Sequence, residues 1–193
     1  AFLTHFGPSG WYLDAVGQMS WYDVTARTLA GSQLKTKLEG VTASVEIGKP
    51  IHIGTNGMWL VEPQAQLIWQ GSDVADANDG RSDVSWNEAN AWTGRLGLRV
   101  QQSCKCGEGP LWQRYGRINL WHGFAGADGV SFDGNTPVEM SFGGTALESG
   151  LGMTAKLGRL TSLYGEALYR HDIGGGAREQ TGLFGTFGLR LNW

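Results

Sequence analysis

The chain has 193 residues, a net charge of −3 and no basic tract, so it lacks the electrostatic footprint of a nucleic-acid-binding protein. It contains no run of about 18 apolar residues, so the sequence does not predict a membrane-spanning helix. Its first six residues, 1–6, lack the basic start and long apolar segment of a signal peptide. The chain has 31 glycines, 5 prolines and 9 tryptophans, a composition that favours curved strands with interfacial aromatic residues.

Apolar and polar side chains alternate along most of the chain, with the period of two that is typical of β-strands. The alternation predicts eight complete strands and, at residues 1–6, the end of another; the complete ones are 11–24, 39–48, 59–70, 91–102, 112–124, 145–157, 162–171 and 183–193. Most segments have ten or more residues, enough to cross a bilayer at a tilt, whereas strands of soluble sheets average about five or six. The sequence therefore predicts an all-β, antiparallel transmembrane β-barrel.

The connections between these strands alternate in length, which supplies a second and independent signal. The longer ones are 25–38, 71–90, 125–144 and 172–182, and the shorter ones are 7–10, 49–58, 103–111 and 158–161. Outer-membrane barrels have short periplasmic turns and long outer loops. The alternation thus predicts a periplasmic C-terminus and a first strand that runs towards the periplasm.

Ionised residues are predicted to share one face of the strands, the face that turns towards the lumen. The polar residues assigned to that face are Asp14, Glu46, Glu62, Gln64, Arg95, Arg99, Arg117, Asn119, Glu148, Lys156, Glu166, Arg170 and Arg190. A charge that faces lipid at mid-bilayer costs about 2–4 kcal/mol, and far less in a watery lumen. We therefore expect Leu151→Arg, on the lipid side, to block assembly much more than Gly150→Ser on the lumen side.

The last strand, 183–193, has one wholly apolar face. Phe187, Leu189, Leu191 and Trp193 lie on it, and such an exposed edge would invite aggregation in a soluble protein. Aromatic residues recur near strand ends and are predicted to form belts at the two membrane interfaces; they are Trp11, Trp21, Trp59, Trp69, Trp92, Trp112, Trp121, Tyr164, Tyr169 and Trp193.

No pattern in the sequence predicts a catalytic, cofactor-binding or metal-binding residue. Cys104 and Cys106 are too close for a disulfide framework and form only half of a zinc-ligand pattern, so they are interpreted as part of a turn. The four histidines are scattered and no Gly-x-Ser-x-Gly elbow occurs. Three alternatives stay open: a membrane-barrel lipid hydrolase that uses the outward-facing Ser149, a simple pore, and a soluble lipocalin-type barrel with reversed faces.

Several separated strings resemble the autotransporter β-domain, in order and over essentially the whole chain. They begin with Gly10-Trp11-Tyr12-Leu13-Asp14-Ala15-Val16-Gly17-Gln18 and Leu60-Val61-Glu62-Pro63-Gln64-Ala65-Gln66-Leu67. They continue with Arg95-Leu96-Gly97-Leu98-Arg99, Asn119-Leu120-Trp121-His122, Ser149-Gly150-Leu151-Gly152 and the closing Gly188-Leu189-Arg190-Leu191-Asn192-Trp193.

The resemblance implies a twelve-stranded outer-membrane barrel of the type V secretion pathway, which translocates or anchors an N-terminal passenger at the bacterial cell surface. It also implies contact with outer-membrane lipid and insertion by the barrel assembly machinery, which would read Phe187, Leu189, Leu191 and Trp193. We expect residues 1–193 to be the C-terminal portion of that domain, without its linker helix and first strands. Because the linker is outside the chain, no residue is assigned to passenger cleavage.

Overall fold

A computed structural model describes residues 1–27, 33–54, 58–87, 89–105, 111–125, 127–134, 136–141, 143–158, 160–174 and 181–191. These residues form fourteen strands: β1 (Phe2–Phe6), β2 (Tyr12–Arg27), β3 (Gln33–Gly48), β4 (Ile51–Ile53), β5 (Trp59–Val74), β6 (Ala77–Asn78), β7 (Asp83–Trp86), β8 (Ala89–Lys105), β9 (Leu111–Ala125), β10 (Ala127–Phe132), β11 (Thr136–Ser141), β12 (Gly144–Lys156), β13 (Thr161–Gly174) and β14 (Thr181–Leu191). Within these ranges no helix is long and apolar enough to span a membrane.

The long strands form one antiparallel, ten-stranded sheet that curls into a half-barrel. Its order is β1-β2-β3-β5-β8-β9-β12-β13-β14, with the short β4 paired to the start of β5. Each long strand therefore pairs with its neighbours along the chain, as an up-and-down barrel wall requires. Each of the eight predicted complete strands corresponds to one of these long strands, and β1 matches the predicted end of another.

The two faces of this sheet differ in the way that the alternation predicted. In β3 the odd positions from Val41 to Ile47 are exposed and apolar, and the even positions from Thr42 to Glu46 are half-buried. In β12 Leu151 is 73% exposed, whereas Glu148 is only 8% exposed. We call the exposed side the apolar face and the other the polar face. The polar face is the concave one, because its side chains contact one another across several strands.

The long strands run further than the sequence predicted. β2 extends to Arg27 and β3 begins at Gln33, so most of the connection 25–38 is strand. The ends of these strands carry charged pairs such as Asp23 beside Lys37, which keep an extended, hydrogen-bonded hairpin soluble. The apolar alternation identifies only the part of a strand that lies against lipid or core, and the strand continues beyond it.

Two connections that were predicted to be loops form a second sheet. Strands β6 and β7 come from the connection 71–90, β10 and β11 come from 125–144, and they pair in the order β11-β10-β7-β6. Val84 in β7 is buried to 4% exposure and lies opposite both Ala77 and Phe132. The prediction of these connections as loops was therefore wrong over the strands, because short strands from two distant segments pair with each other.

Candidate functional site

The site of interest is a hydrogen-bonded network on the polar face, which we call the lumen network. Alternation places one polar side chain every second residue on this face, and the antiparallel register aligns them across the sheet. The network connects side chains of β2, β3, β5, β8, β9 and β12, which are adjacent in the sheet.

Arg95 of β8 is the centre of the lumen network. Its guanidinium donates from Nη2 to Glu46 Oε2 at 2.7 Å and from Nε to Gln66 Oε1 at 3.0 Å. Its Nη1 donates to Gln64 Oε1 at 3.1 Å and to Asn119 Oδ1 at 3.2 Å. Arg95 is 8% exposed, so the ion pair with Glu46 is shielded from water. Such a charge is tolerable in this position because its donors are matched.

The network continues beyond Arg95 in both directions. On one side Asn119, which is 1% exposed, donates from Nδ2 to Glu148 Oε1 at 2.7 Å. On the other side the Tyr12 hydroxyl lies 2.8 Å from Glu46 Oε1 and 3.0 Å from Glu62 Oε1. A phenol has one proton to donate, so the two carboxylates compete for it.

A second polar cluster lies beside the lumen network. Arg117 of β9 and Glu166 of β13 approach to 3.1 Å between Nε and Oε1, an ion-pair distance without the alignment of a hydrogen bond. Arg99 lies 4.2 Å over the ring of Tyr115, a cation–π contact, and donates to Gln101 Oε1 at 3.0 Å.

Glycines on the polar face make room for the side chains of this site. A Cβ atom at Gly97 would lie only 2.5 Å from Asn119 Oδ1, so this glycine lets the amide approach the backbone of β8. Three tyrosine rings likewise cover the glycine opposite them on the next strand: Tyr12 over Gly48, Tyr115 over Gly152 and Tyr164 over Gly188.

Not every residue assigned to the lumen enters these clusters. Asp14 pairs in register with Glu46, but its Oδ1 is buried without a hydrogen-bond partner in the described part of the chain. Arg170 is exposed and lies 5.7 Å over the Trp121 ring. Lys156 and Arg190 are exposed at the polar-face ends of their strands. These three bases are on the predicted face but outside the hydrogen-bonded part.

Two aromatic residues do not belong to the predicted membrane belts. Trp121 lies on the polar face between Arg95, at 5.5 Å, and Arg170. Tyr164 covers Gly188 on the same face. Position near a strand end did not predict whether these two side chains face the membrane. Odd and even positions along a strand lie on opposite faces, and this alternation decides which face a residue occupies.

Tyr12, Gln66 and Tyr115 are members of the site that were not assigned from the sequence. Parity places all three on the polar face. Their uncharged side chains gave no signal comparable to an ionised group that must avoid lipid.

Nothing in the described residues favours the hydrolase alternative. Ser149 is exposed on the apolar face, and its cross-strand neighbours are Ile118 and Tyr169 rather than a histidine. His122 instead lies 2.9 Å from the Thr145 hydroxyl. In this part of the chain no group of three or more His, Cys, Asp or Glu residues could hold a metal ion. Cys104 lies in β8 rather than in a turn, and Cys106 lies outside the described residues.

The terminal strand β14 presents its apolar row openly. Phe187 is 79% exposed, Leu189 56% and Leu191 55%. Trp193, the fourth member of the predicted assembly signal, lies outside the described residues. β14 pairs with β13 through the whole of its length, with Leu191 opposite Thr161 and Thr181 opposite His171.

A curled antiparallel sheet with an apolar outer face and a polar, hydrogen-bonded inner face is the wall of a membrane β-barrel. The family model of the autotransporter beta-domain matches residues 1–168 of this chain. The chain belongs to the autotransporter β-domain family, and it lies in the bacterial outer membrane.

The chain is similar to two curated autotransporters. It is 33% identical, over 100% of its own length, to the adhesin BmaC autotransporter of Brucella suis, of which it covers 6%. It is 33% identical, over 87% of its length, to the pertactin autotransporter of Bordetella bronchiseptica, of which it covers 19%. The chain therefore spans less than a fifth of either relative.

Among solved structures, the β-domain of the Bordetella autotransporter BrkA has the same fold. The match has a TM-score of 0.68 and 21% sequence identity, and it covers 100% of this chain and 71% of that one. The predictions of the fold and of the family are thereby confirmed.

Proposed function

We propose that this chain forms the C-terminal portion of a translocator barrel that exports a passenger through the outer membrane and anchors it at the cell surface. The single observation that carries the proposal is the sorting of the two faces. Apolar residues cover one side of every long strand, and the other side holds an ion-pair and hydrogen-bond network. A wall built in this way suits lipid outside and a polar polypeptide inside.

The polar face also carries groups that a polypeptide in the lumen could satisfy. Asp14 Oδ1, Arg99 Nε and Glu166 Oε1 are buried without a hydrogen-bond partner in the described residues. Peptide N–H and C=O groups, or water, are the partners that such atoms require. We propose that a linker helix between the passenger and the barrel occupies the lumen against this face, with the passenger outside the cell.

A matched pair of variants tests most directly whether the apolar face of the sheet meets lipid and the polar face meets the lumen. Ala43 and Thr42 are consecutive in the middle of β3, on the apolar and the polar face. We expect Ala43→Arg to cost about 2–4 kcal/mol of barrel stability, because the charge faces lipid at mid-bilayer. Thr42→Arg lies between Gln18 and Gln70 and should assemble nearly as well as the unchanged chain. The measurement is the fraction of heat-modifiable, folded protein in outer membranes.

Export is tested in the same cells by the amount of passenger that external protease can reach. We expect Ala43→Arg to lose both folded barrel and surface passenger, whereas Thr42→Arg retains them. Folded barrel without surface passenger in the unchanged protein would contradict export. Equal assembly of the two variants would contradict the facing.

A further inference from the structure

Four residues on neighbouring strands lie side by side across the apolar face. One of them is a cation, Arg114, and another is a glycine, Gly165, which leaves a gap between the side chains beside it. Arg114 of β9 lies opposite Met153 of β12, Met153 lies opposite Gly165 of β13, and Gly165 lies opposite Phe187 of β14. Gly165 has no side chain, so the surface sinks between Met153 and Phe187. A Cβ atom at this glycine would meet nothing closer than 3.8 Å.

The gap opens into a groove of about 630 Å³ with an almost wholly apolar lining. Leu151, Met153, Leu163, Ala167 and Phe187 form its walls, and Trp112 and Arg114 stand at one side. A groove of this size and character suits a hydrocarbon chain, because branched and aromatic walls bury it without requiring hydrogen bonds.

Arg114 places a positive charge beside this hydrocarbon groove. It is exposed, and within the described residues it makes no hydrogen bond or ion pair. It follows the first residue of β9, Leu111, by three positions, which is about 10 Å along a strand. Arginine side chains at such depths extend towards the interface, where the cost of a lipid-facing charge falls to about 0–1 kcal/mol.

The position of Arg114 identifies the leaflet. β9 begins at Leu111, where the predicted short connection 103–111 ends, and short connections lie on the periplasmic side of outer-membrane barrels. Trp112, two residues closer to that end, is of the type that sits at headgroup level. The periplasmic leaflet presents phosphodiester headgroups, which guanidinium groups bind well.

We propose that this groove is a binding site for a glycerophospholipid of the periplasmic leaflet. The phosphodiester binds Arg114, and one acyl chain lies across Gly165 between Met153 and Phe187. The proposal rests on the facing described under the proposed function, and goes beyond it by assigning a particular lipid class to a particular site.

The test is native mass spectrometry of the intact protein, extracted from outer membranes in a mild detergent and titrated with phosphatidylglycerol. Arg114→Gln should weaken this binding about tenfold, the loss expected for one charge-assisted contact. Arg114→Lys should restore most of it. Gly165→Leu, which fills the groove, should weaken it as well. Each variant is first shown to be folded by its heat-modifiable migration.

Lys37→Gln is the matched control, because Lys37 is an exposed cation on the apolar face at the opposite end of the sheet. It should leave phosphatidylglycerol binding unchanged. Diacylglycerol, which lacks the phosphate, should bind weakly and should not respond to Arg114→Gln. Unchanged phosphatidylglycerol binding in Arg114→Gln would overturn the proposal. It would also be overturned if Arg114→Gln weakened the binding of lipid A and left the binding of phosphatidylglycerol unchanged. If the facing itself were wrong, Ala43→Arg and Thr42→Arg would assemble equally, so the two failures can be distinguished.

Discussion

Arg95 shows how single side chains hold the barrel wall together from within. Its guanidinium reaches acceptors on the neighbouring strands β5 and β9 and on β3, which lies beyond β5, so one residue of β8 connects four strands. A buried charge of this kind contributes little net stability when paired, but its loss leaves the partners unmatched.

Arg95→Gln should therefore lower the free energy of unfolding by at most about 3–5 kcal/mol, because Glu46 would remain as a partly buried carboxylate without its cation. The measurement is the urea midpoint of the folded barrel in detergent. Adding Glu46→Gln should recover part of the loss, since the double variant contains no unpaired charge. Strictly additive losses in the double variant would show that the two residues do not interact.

Gly97→Ala tests the close approach of Asn119 to the backbone of β8. The new methyl group would overlap Asn119 Oδ1, so Asn119 and its bonds to Arg95 and Glu148 must shift. Overpacking of this kind costs about 1–3 kcal/mol. The matched control is Gly17→Ala in β2, where a Cβ atom would meet nothing within 4 Å. The measurement is the temperature at which each variant loses its folded electrophoretic migration. This temperature should fall for Gly97→Ala and not for Gly17→Ala.

At this scale the sequence predicts the face of a residue but not its partners. Parity assigned Glu46, Arg95 and Glu148 to the same side, yet their connection depends on the stagger between strands, which no local pattern encodes. Gly150 makes the same point. Gly150→Ser was expected to be mild, but a Cβ atom there would lie 2.3 Å from Leu168 Cδ2. Thr42 is for this reason the better position for a lumen-side control.

At the scale of elements, the second sheet is the part of the fold that the sequence did not predict. Its strands are short, and the two connections are joined where β7 of the first pairs with β10 of the second. The connections are held together by reciprocal bonds: Asp83 N donates to Asp133 Oδ1, and Asp133 N donates to Asp83 O, both at 2.8 Å. Pairing between segments about fifty residues apart lies beyond any local periodicity.

The turn between β6 and β7 gives the second sheet a dependence on pH. Asp79 Oδ1 accepts from the backbone N–H groups of Ser82 and Arg81, both at 2.8 Å, and these bonds hold the pKa of Asp79 below its usual value. A carboxyl group with a depressed pKa stabilises the turn above pH about 4, and the contribution is lost as the pH falls through its folded-state pKa. We expect amide exchange at Arg81 and Ser82, measured relative to β9, to rise below that pH and to be high at all pH values in Asp79→Ala. Exchange of Asp79→Ala equal to that of the unchanged chain at neutral pH would contradict this.

For the whole molecule, the meander order and the two-faced sheet followed from the sequence. Alternation marked every long strand, and the lengths of the connections predicted the direction in which each runs. The curvature of the sheet and the extent of the strands beyond the bilayer were not predictable in the same way. They depend on twist and on glycine positions such as Gly48 and Gly152, whose importance appears only when a tyrosine is seen to cover them.

Recognition of the terminal strand by the barrel assembly machinery is a proposal that belongs to this scale. Deletion of Trp193 should reduce the fraction of chain inserted in outer membranes several-fold, because it removes the end of the apolar row formed by Phe187, Leu189 and Leu191. Asn192→Ala, which the alternation of the sequence assigns to the other face, is the control and should insert normally. Insertion is measured as membrane-associated, heat-modifiable protein, and normal insertion of the truncated chain would argue against the signal.

The second sheet draws its strands from the connections on both sides of the β8–β9 hairpin. After a single protease cut between β6 and β7, each half would stay attached to its long strand, and the pairing of β6 with β7 and of β7 with β10 would hold the two cut ends together. The second sheet should consequently stay in place even after such a cut.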